Sequence, residues 1–364
     1  MGSEPTMELS PALTQRIAKW RAFHADPTPG QILCTVTTWN MDLDLTPFGV
    51  EDRPVNGWDY RRERRALAEN TVRALRGRQQ LLRELDLDDI PFVSPGVGIA
   101  THSLYLSGGE MVMDEHNTWA HPVLHQWNQV DTLRPDPERE WFRFLEEMDR
   151  HFVDLADGDY AVQTFGHFGP SDMANALRGN DLFLDVYDAP DQVDRLLQRC
   201  VEAGAWLERR LRTLVPPTEG GRVIWGAWLP GDPVFQSEDA SDLCAPATYR
   251  DLFRPHTEAF AAAFDGCFIH HHARGLHVHP DIAAVRGLRM VEVSLDPNCD
   301  RPIDRLPELY EANRDLPLMT RATPADIHAH IDRIKEGRIF LSIDVPTLSE
   351  AKETIAFLRR HSRL

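Results

Sequence analysis

Apolar positions along this chain switch repeatedly between a helical period and a strand period. From Pro11 to Ala25 they fall at helical spacing, with Ile17, Trp20 and Phe23 on one side, until the breaker Asp26-Pro27-Thr28-Pro29-Gly30. Ile32–Asn40 is a β-branched run ending in polar and aromatic residues, which predicts a first strand. The segment from there to Trp58 is rich in Asp, Pro and Gly and reads as a lid or binding loop. A helix is expected over Arg61–Leu85 and a short strand over Ile90–Val93. Gly98–Gln129 shows no period and reads as an excursion across one end of the fold.

From Asp136 the rhythm becomes regular. A helix over Pro137–Ala156 precedes a strand over Tyr160–Phe165, and helices follow at Ser171–Leu177 and Pro190–Leu214. Then come a strand over Arg222–Trp228, a helix over Pro246–Phe264, a strand opening at Cys267, and a helix over Pro280–Arg286. The chain closes with strands at Arg289–Leu295, Leu316–Thr320 and Arg338–Ile343, each followed by a helix (Asp304–Asn313, Pro324–Glu336, Ser349–Arg360).

Strands at Ile32, Ile90, Tyr160, Arg222, Cys267, Arg289, Leu316 and Arg338 alternating with helices imply parallel strands with right-handed crossovers. At 364 residues that pattern fits an α/β chain forming a (β/α)8 TIM barrel. A doubly wound sheet is the alternative, but no Gly-rich phosphate turn follows the first strand. The expected organisation is a lead and helix over 1–30, then one barrel over 31–364 with an irregular insertion around 94–135.

Composition narrows the classes. The 42% hydrophobic and 26% charged content is that of a soluble globular protein, and no apolar run reaches membrane-span length. A net charge of −18 leaves no basic stripe for nucleic acid or an anionic membrane. The five cysteines are scattered, without a CxxC pair or a secretory h-region, as expected of free thiols in a reducing cytoplasm.

The densest chemistry lies in Cys267–Asp281, CFIHHHARGLHVHPD, which holds five of sixteen histidines. On a strand His270 and His272 share a face and His271 takes the other. A His-x-His pair at a strand end suits one divalent metal, zinc first, with iron, manganese or cobalt open. For a third ligand Asp344 is the first choice, with Glu292, Asp296 and Cys299 competing; Asp344 as a helix cap or an Arg321 partner is the plain alternative. Asp281 is expected to orient His279.

In a barrel, catalytic groups gather after strand C-termini. This makes Asp239, His167 and Arg321 candidate catalytic groups, and Trp39, Asn40, Trp228, Asp242 and His271 candidate substrate contacts. Asp239 and Asp242 lie in the acidic stretch Gln236–Leu243, suited to binding an amine or carrying protons, or else to capping the next helix. Core packing is the ordinary role for Trp225.

Four stretches carry a family resemblance: FGHFGPSDMANALRG (Phe165–Gly179), SEDASDLCAPATYRDLFRPHTEAF (Ser237–Phe260), FIHHHARG with its following HPD, and RIFLSIDVPTLSEAKETIAFLRR near the end. From about Pro95 onward the chain resembles the uroporphyrinogen decarboxylase-like superfamily, which includes corrinoid- and coenzyme M-dependent methyltransferases. The resemblance implies a (β/α)8 barrel. It also departs from the family twice. The first strand ends TTWNMDLDLTPFG, without the Arg-Gln-Ala-Gly-Arg motif that binds uroporphyrinogen carboxylates. Where the zinc methyltransferases carry His-x-Cys and a late Cys, this chain has His270, His272 and, near the late position, Asp344, a set less suited to thiol alkylation. The implied function is metal-dependent methyl transfer or demethylation on a small substrate, with a corrinoid protein as partner and a homodimer as the assembly. The alternatives are a metal-dependent lyase or decarboxylase cleaving C–C or C–N in a small carboxylate, and a non-catalytic corrinoid- or tetrapyrrole-binding protein.

Overall fold

The computed structural model describes residues 9–38, 40–164 and 168–364. Strands β1 (Gln31–Thr37), β2 (Phe92–Val93), β3 (Met111–Met113), β4 (Thr118–Ala120) and β5 (Ala161–Val162) occupy the first half. They are followed by β6 (Gly221–Ile224), β7 (Ala227–Pro230), β8 (Val234–Ser237), β9 (Cys267–His272), β10 (Leu288–Ser294), β11 (Leu318–Ala322) and β12 (Arg338–Asp344). Six of these form one parallel sheet in the order β1-β12-β11-β10-β9-β8, and β2 and β5 form a second parallel pair. The molecule is α/β, with eight parallel strands in two sheets. Among the described residues no ladder joins β1 to β2. Isolated contacts link the sheets instead: a parallel bridge from Phe168 to Ser237, and Asp88 N donating to Cys34 O at 2.9 Å.

The strands are buried on both faces, as parallel strands covered by helices must be. Alternate residues therefore enter different clusters. Ile32, Ile339, Leu318, Val291 and Ile269 pack toward the helices. Leu33, Phe340, Met319, Met290, Phe268 and Phe235 fill the inside.

Helix Pro11–Ala25, capped by Ser10 and opened by Pro11, lays Leu13, Ile17, Trp20 and Phe23 onto this inner cluster. Trp20 meets Phe340 edge-on at 5.0 Å, and Arg338, the first residue of β12, donates to Phe23 O. The helix thus seals the end where the strands begin and leaves the opposite end for chemistry.

The fourth expected strand is corrected. Residues 221–230 form the antiparallel hairpin β6–β7, because Trp225 (φ 50°) and Gly226 (φ 79°) both take the left-handed conformation that turns two strands back on each other. The parallel strand is β8, which shares Gln236 and Ser237 with the stretch expected to be an acidic loop. The insertion is also more ordered than expected, with helix Thr101–Ser107 and the hairpin β3–β4. No described helix is long and apolar enough to cross a membrane, and all five cysteines are free.

Candidate functional site

Strand β9 ends on the inner face with His270 and His272, whose ring centroids are 4.9 Å apart. Next to it β8 ends at Ser237, and the chain continues into a short 3-10 helix, Asp239–Leu243. Asp239 is thereby set between the two imidazoles, with Oδ1 3.2 Å from His270 Nε2 and Oδ2 3.6 Å from His272 Nε2. One ligand atom from each of the three residues falls within 4.8 Å of the others.

The far nitrogens of both rings are also engaged. His270 Nδ1 donates to Glu292, which β10 places in register with it, and His272 Nδ1 donates to Asp296 at 2.7 Å. Asp296 also accepts from Arg274 N at 3.1 Å. A carboxylate behind each ring fixes its orientation and leaves Nε2 to face Asp239, the arrangement that metal-bound histidines show. Asp239 Oδ1 is buried yet receives no aligned hydrogen bond, although an imidazole lies beside it. A donor atom so placed fits a cation shared with the two rings.

Asp239 itself is held from behind. Its N–H donates to Asp172 Oδ2 at 2.9 Å, and Ala240 N and Ser237 Oγ donate to the same carboxyl group. Glu238 turns the other way and accepts from Thr257 Oγ1 at 2.6 Å and from Ser171. Burial, then the charge of Asp239, raises Asp172 to about 7. Burial, then the charge of Asp172, raises Glu238 to about 8. For His270 burial acts downward, but the charges of Glu292 and Asp239 outweigh it and lift the imidazole to about 10. Burial acts upward on Asp239, and the two imidazoles override it and lower its value.

The expected residues divide. His270, His272 and Asp239 come together. Asp344 does not join them at ligand distance; it accepts from Asn40 Nδ2 at 2.6 Å and Thr37 Oγ1 at 3.2 Å, at the paired ends of β12 and β1. Asp242 stands close enough to feel the charges of Arg274, Asp239, His272 and Asp296, and burial raises its pKa. Arg321 lies on the inner face of β11, two residues beyond Met319. Trp39 and His167 lie outside the described residues.

Two expected substrate contacts are placed away from this cluster. His271 is fully buried on the outer face, its Nε2 2.9 Å from His279 Nδ1 and its Nδ1 donating to His272 O. Trp228 belongs to the hairpin, where Nε1 donates to Thr218 O and Arg21 stacks on its ring against the sealing helix. Asp232, four residues further on, pairs with Arg212 and Arg222. Asp281 pairs with Arg250 and Arg254 rather than orienting His279. Glu292 and Asp296, weighed as ligands, stand behind the two imidazole rings instead. Asp172 and Glu238 were missed, because an acid early in a helix and an acid after a strand read as caps; the Ser-Asp and Ser-Glu-Asp clusters were the only signal.

No protein-family model matches the chain, and no curated protein does. Among solved structures it is similar to a methyltransferase from Methanosarcina mazei, at 16% identity and a TM-score of 0.66, with 97% of this chain and 99% of that chain covered. That likeness shows a shared fold along the full length.

Proposed function

We propose that this protein is a metal-dependent enzyme that moves a methyl group to or from a small substrate, with His270, His272 and Asp239 holding the metal. The observation that carries this reading is the Nε2/Nε2/carboxylate cluster whose two rings are each backed by a second carboxylate. Two nitrogens and an oxygen suit zinc first, then iron, manganese or cobalt. A metal bound there supplies Lewis acidity toward a substrate donor atom.

The chain's own residues do the rest. Glu292 and Asp296 keep both rings aimed, and Asp172 keeps Asp239 in place. Asn40, Asp242, Asp344 and Arg321, on the inner face or at the open strand ends, are the proposed substrate contacts, with Arg321 meeting an anionic group. The two parallel sheets are read as arcs of one (β/α)8 barrel, joined through the Phe168–Ser237 and Asp88–Cys34 contacts. The fold shared with a methyltransferase supports methyl transfer over the lyase alternative, and the proposed methyl carrier is a corrinoid on a separate protein in the cytoplasm.

The test is metal analysis of the untagged protein beside His272→Ala and Asp239→Ala, followed by absorbance spectra of methylcobalamin mixed with the metal-loaded protein and candidate acceptors. The expected result is one metal per chain in the wild type, loss from both variants, and acceptor-dependent demethylation. Equal metal content in all three proteins overturns the ligand set. Full metal content without demethylation moves the reading to a lyase.

A further inference from the structure

The seam between β1 and β2 opens into a cleft of about 730 Å³, within the roughly 300–1,000 Å³ range of small-molecule sites. Helix Arg64–Leu81 forms its outer wall, and Trp225 closes its inner end. The same indole lies 4.7 Å from the His270 ring, centroid to centroid, so it partitions the cleft from the metal centre. Leu75, Leu82, Pro91 and Phe92 give the cleft an apolar lining.

Its charge is opposite to that of the molecule. In a chain of net charge −18, this cleft gathers the guanidinium groups of Arg16, Arg76, Arg78 and Arg83 against the carboxyl groups of Asp89 and Asp159. Arg76 is committed to Asp157, and Arg16 donates to Asp89 O at 2.7 Å. Among the described residues the side chains of Arg78 and Arg83 have neither an ion pair nor a hydrogen bond. Arg78 is exposed on the cleft wall, so its guanidinium is reachable from water, and neighbouring atoms lower its pKa by partial desolvation. Burial raises the pKa of Asp89, and the charge of Arg16 beside it acts the other way. A guanidinium offers a planar fork matched to carboxylate, and an apolar wall beside it favours a ligand with a hydrocarbon body.

We propose that this seam is a second ligand site, separate from the metal centre, that takes a small organic carboxylate, with the carboxylate on Arg78 and the apolar body along Leu75, Leu82 and Phe92. Calorimetric titration of the full chain with octanoate, octanol and inorganic phosphate tests it, using the wild type, Arg78→Gln and, as a control on a distant surface, Arg209→Gln. Octanoate is expected to bind one per chain, at least tenfold tighter than octanol or phosphate. Arg78→Gln is expected to weaken octanoate at least tenfold and leave octanol unchanged, and Arg209→Gln to behave as wild type. Absence of saturable octanoate binding, equal binding of octanol, or an unaltered octanoate affinity in Arg78→Gln overturns the proposal. Because Arg78 lies on the outer wall and bonds to no other side chain, its substitution leaves the fold intact, and a matching melting temperature verifies that.

Discussion

Each imidazole of the proposed metal site is a two-ended residue, and its two ends answer to different chemistry. His270 and His272 present Nε2 to Asp239 while Nδ1 is spent on Glu292 and Asp296. Replacing a backing carboxylate by its amide keeps the shape and removes the charge that makes the ring a better donor. Glu292→Gln and Asp296→Asn are therefore expected to weaken zinc binding by about 10–100-fold, measured by competition with a chromophoric chelator. The effect should be larger for Glu292, which is buried, than for Asp296, whose ring partner His272 is partly exposed. Unchanged zinc affinity in both variants would make these pairs simple packing contacts. The histidines were readable from the sequence because alternation on a strand is enough to pair them. Asp239 could not be chosen over Asp344, since β8 was not expected as a strand, and only the turn after β8 brings Asp239 between the rings.

At the level of elements, alternation of strand and helix was legible wherever the apolar run was long, as in β9, β10 and β12. It failed at residues 221–237. There the hairpin β6–β7 carries the Val-Ile and Trp-Leu runs that look like a buried strand, while β8 is only Val234–Ser237 and leads straight into acids. Pairing partners, not local composition, decide between the two, and pairing is a long-range property. Helix Glu140–Leu155 shows a comparable conflict between local pattern and environment. Asp149 sits on its buried face, fully buried and without a hydrogen-bond partner for either oxygen, near Glu208 and Glu146. Burial, then those two carboxylates, raises its pKa well above the ordinary 3.8. An acid whose folded pKa is raised contributes most to stability below its unfolded value, and that contribution is lost as pH rises toward the folded one. Asp149→Asn cannot titrate. Its melting temperature relative to wild type is therefore expected to rise from pH 4 to pH 8. A difference that stays constant or falls over that range would mean that Asp149 is ionised in the native state.

On the scale of the whole molecule, the two ends of the strands have opposite duties. One is closed by helix Pro11–Ala25 and the hairpin through Trp20, Phe340, Trp228 and their neighbours, which makes it a source of stability. The other carries clustered acids and imidazoles, with Glu238, Asp172 and His270 all displaced from their ordinary protonation, which makes it a place where stability is given up. Carboxylates crowded around two histidines repel one another, and a metal cation shared with both rings offsets that repulsion further than His270 alone does. Metal should therefore act on the whole fold and not only on activity, because a ligand that binds only the native state stabilises it by the logarithm of its saturation. At a free zinc concentration 100-fold above the dissociation constant the gain is about 2.7 kcal/mol, roughly 3 °C in melting temperature for a chain of this length. Stripping with a chelator is expected to lower the melting temperature of the wild type by that order, and readdition of zinc to restore it. In His272→Ala both steps should leave the melting temperature in place, because one nitrogen and one carboxylate no longer compete with the chelator. An equal response of the wild type and His272→Ala to chelator would place the stabilising metal elsewhere in the chain and remove these three residues from the chemistry.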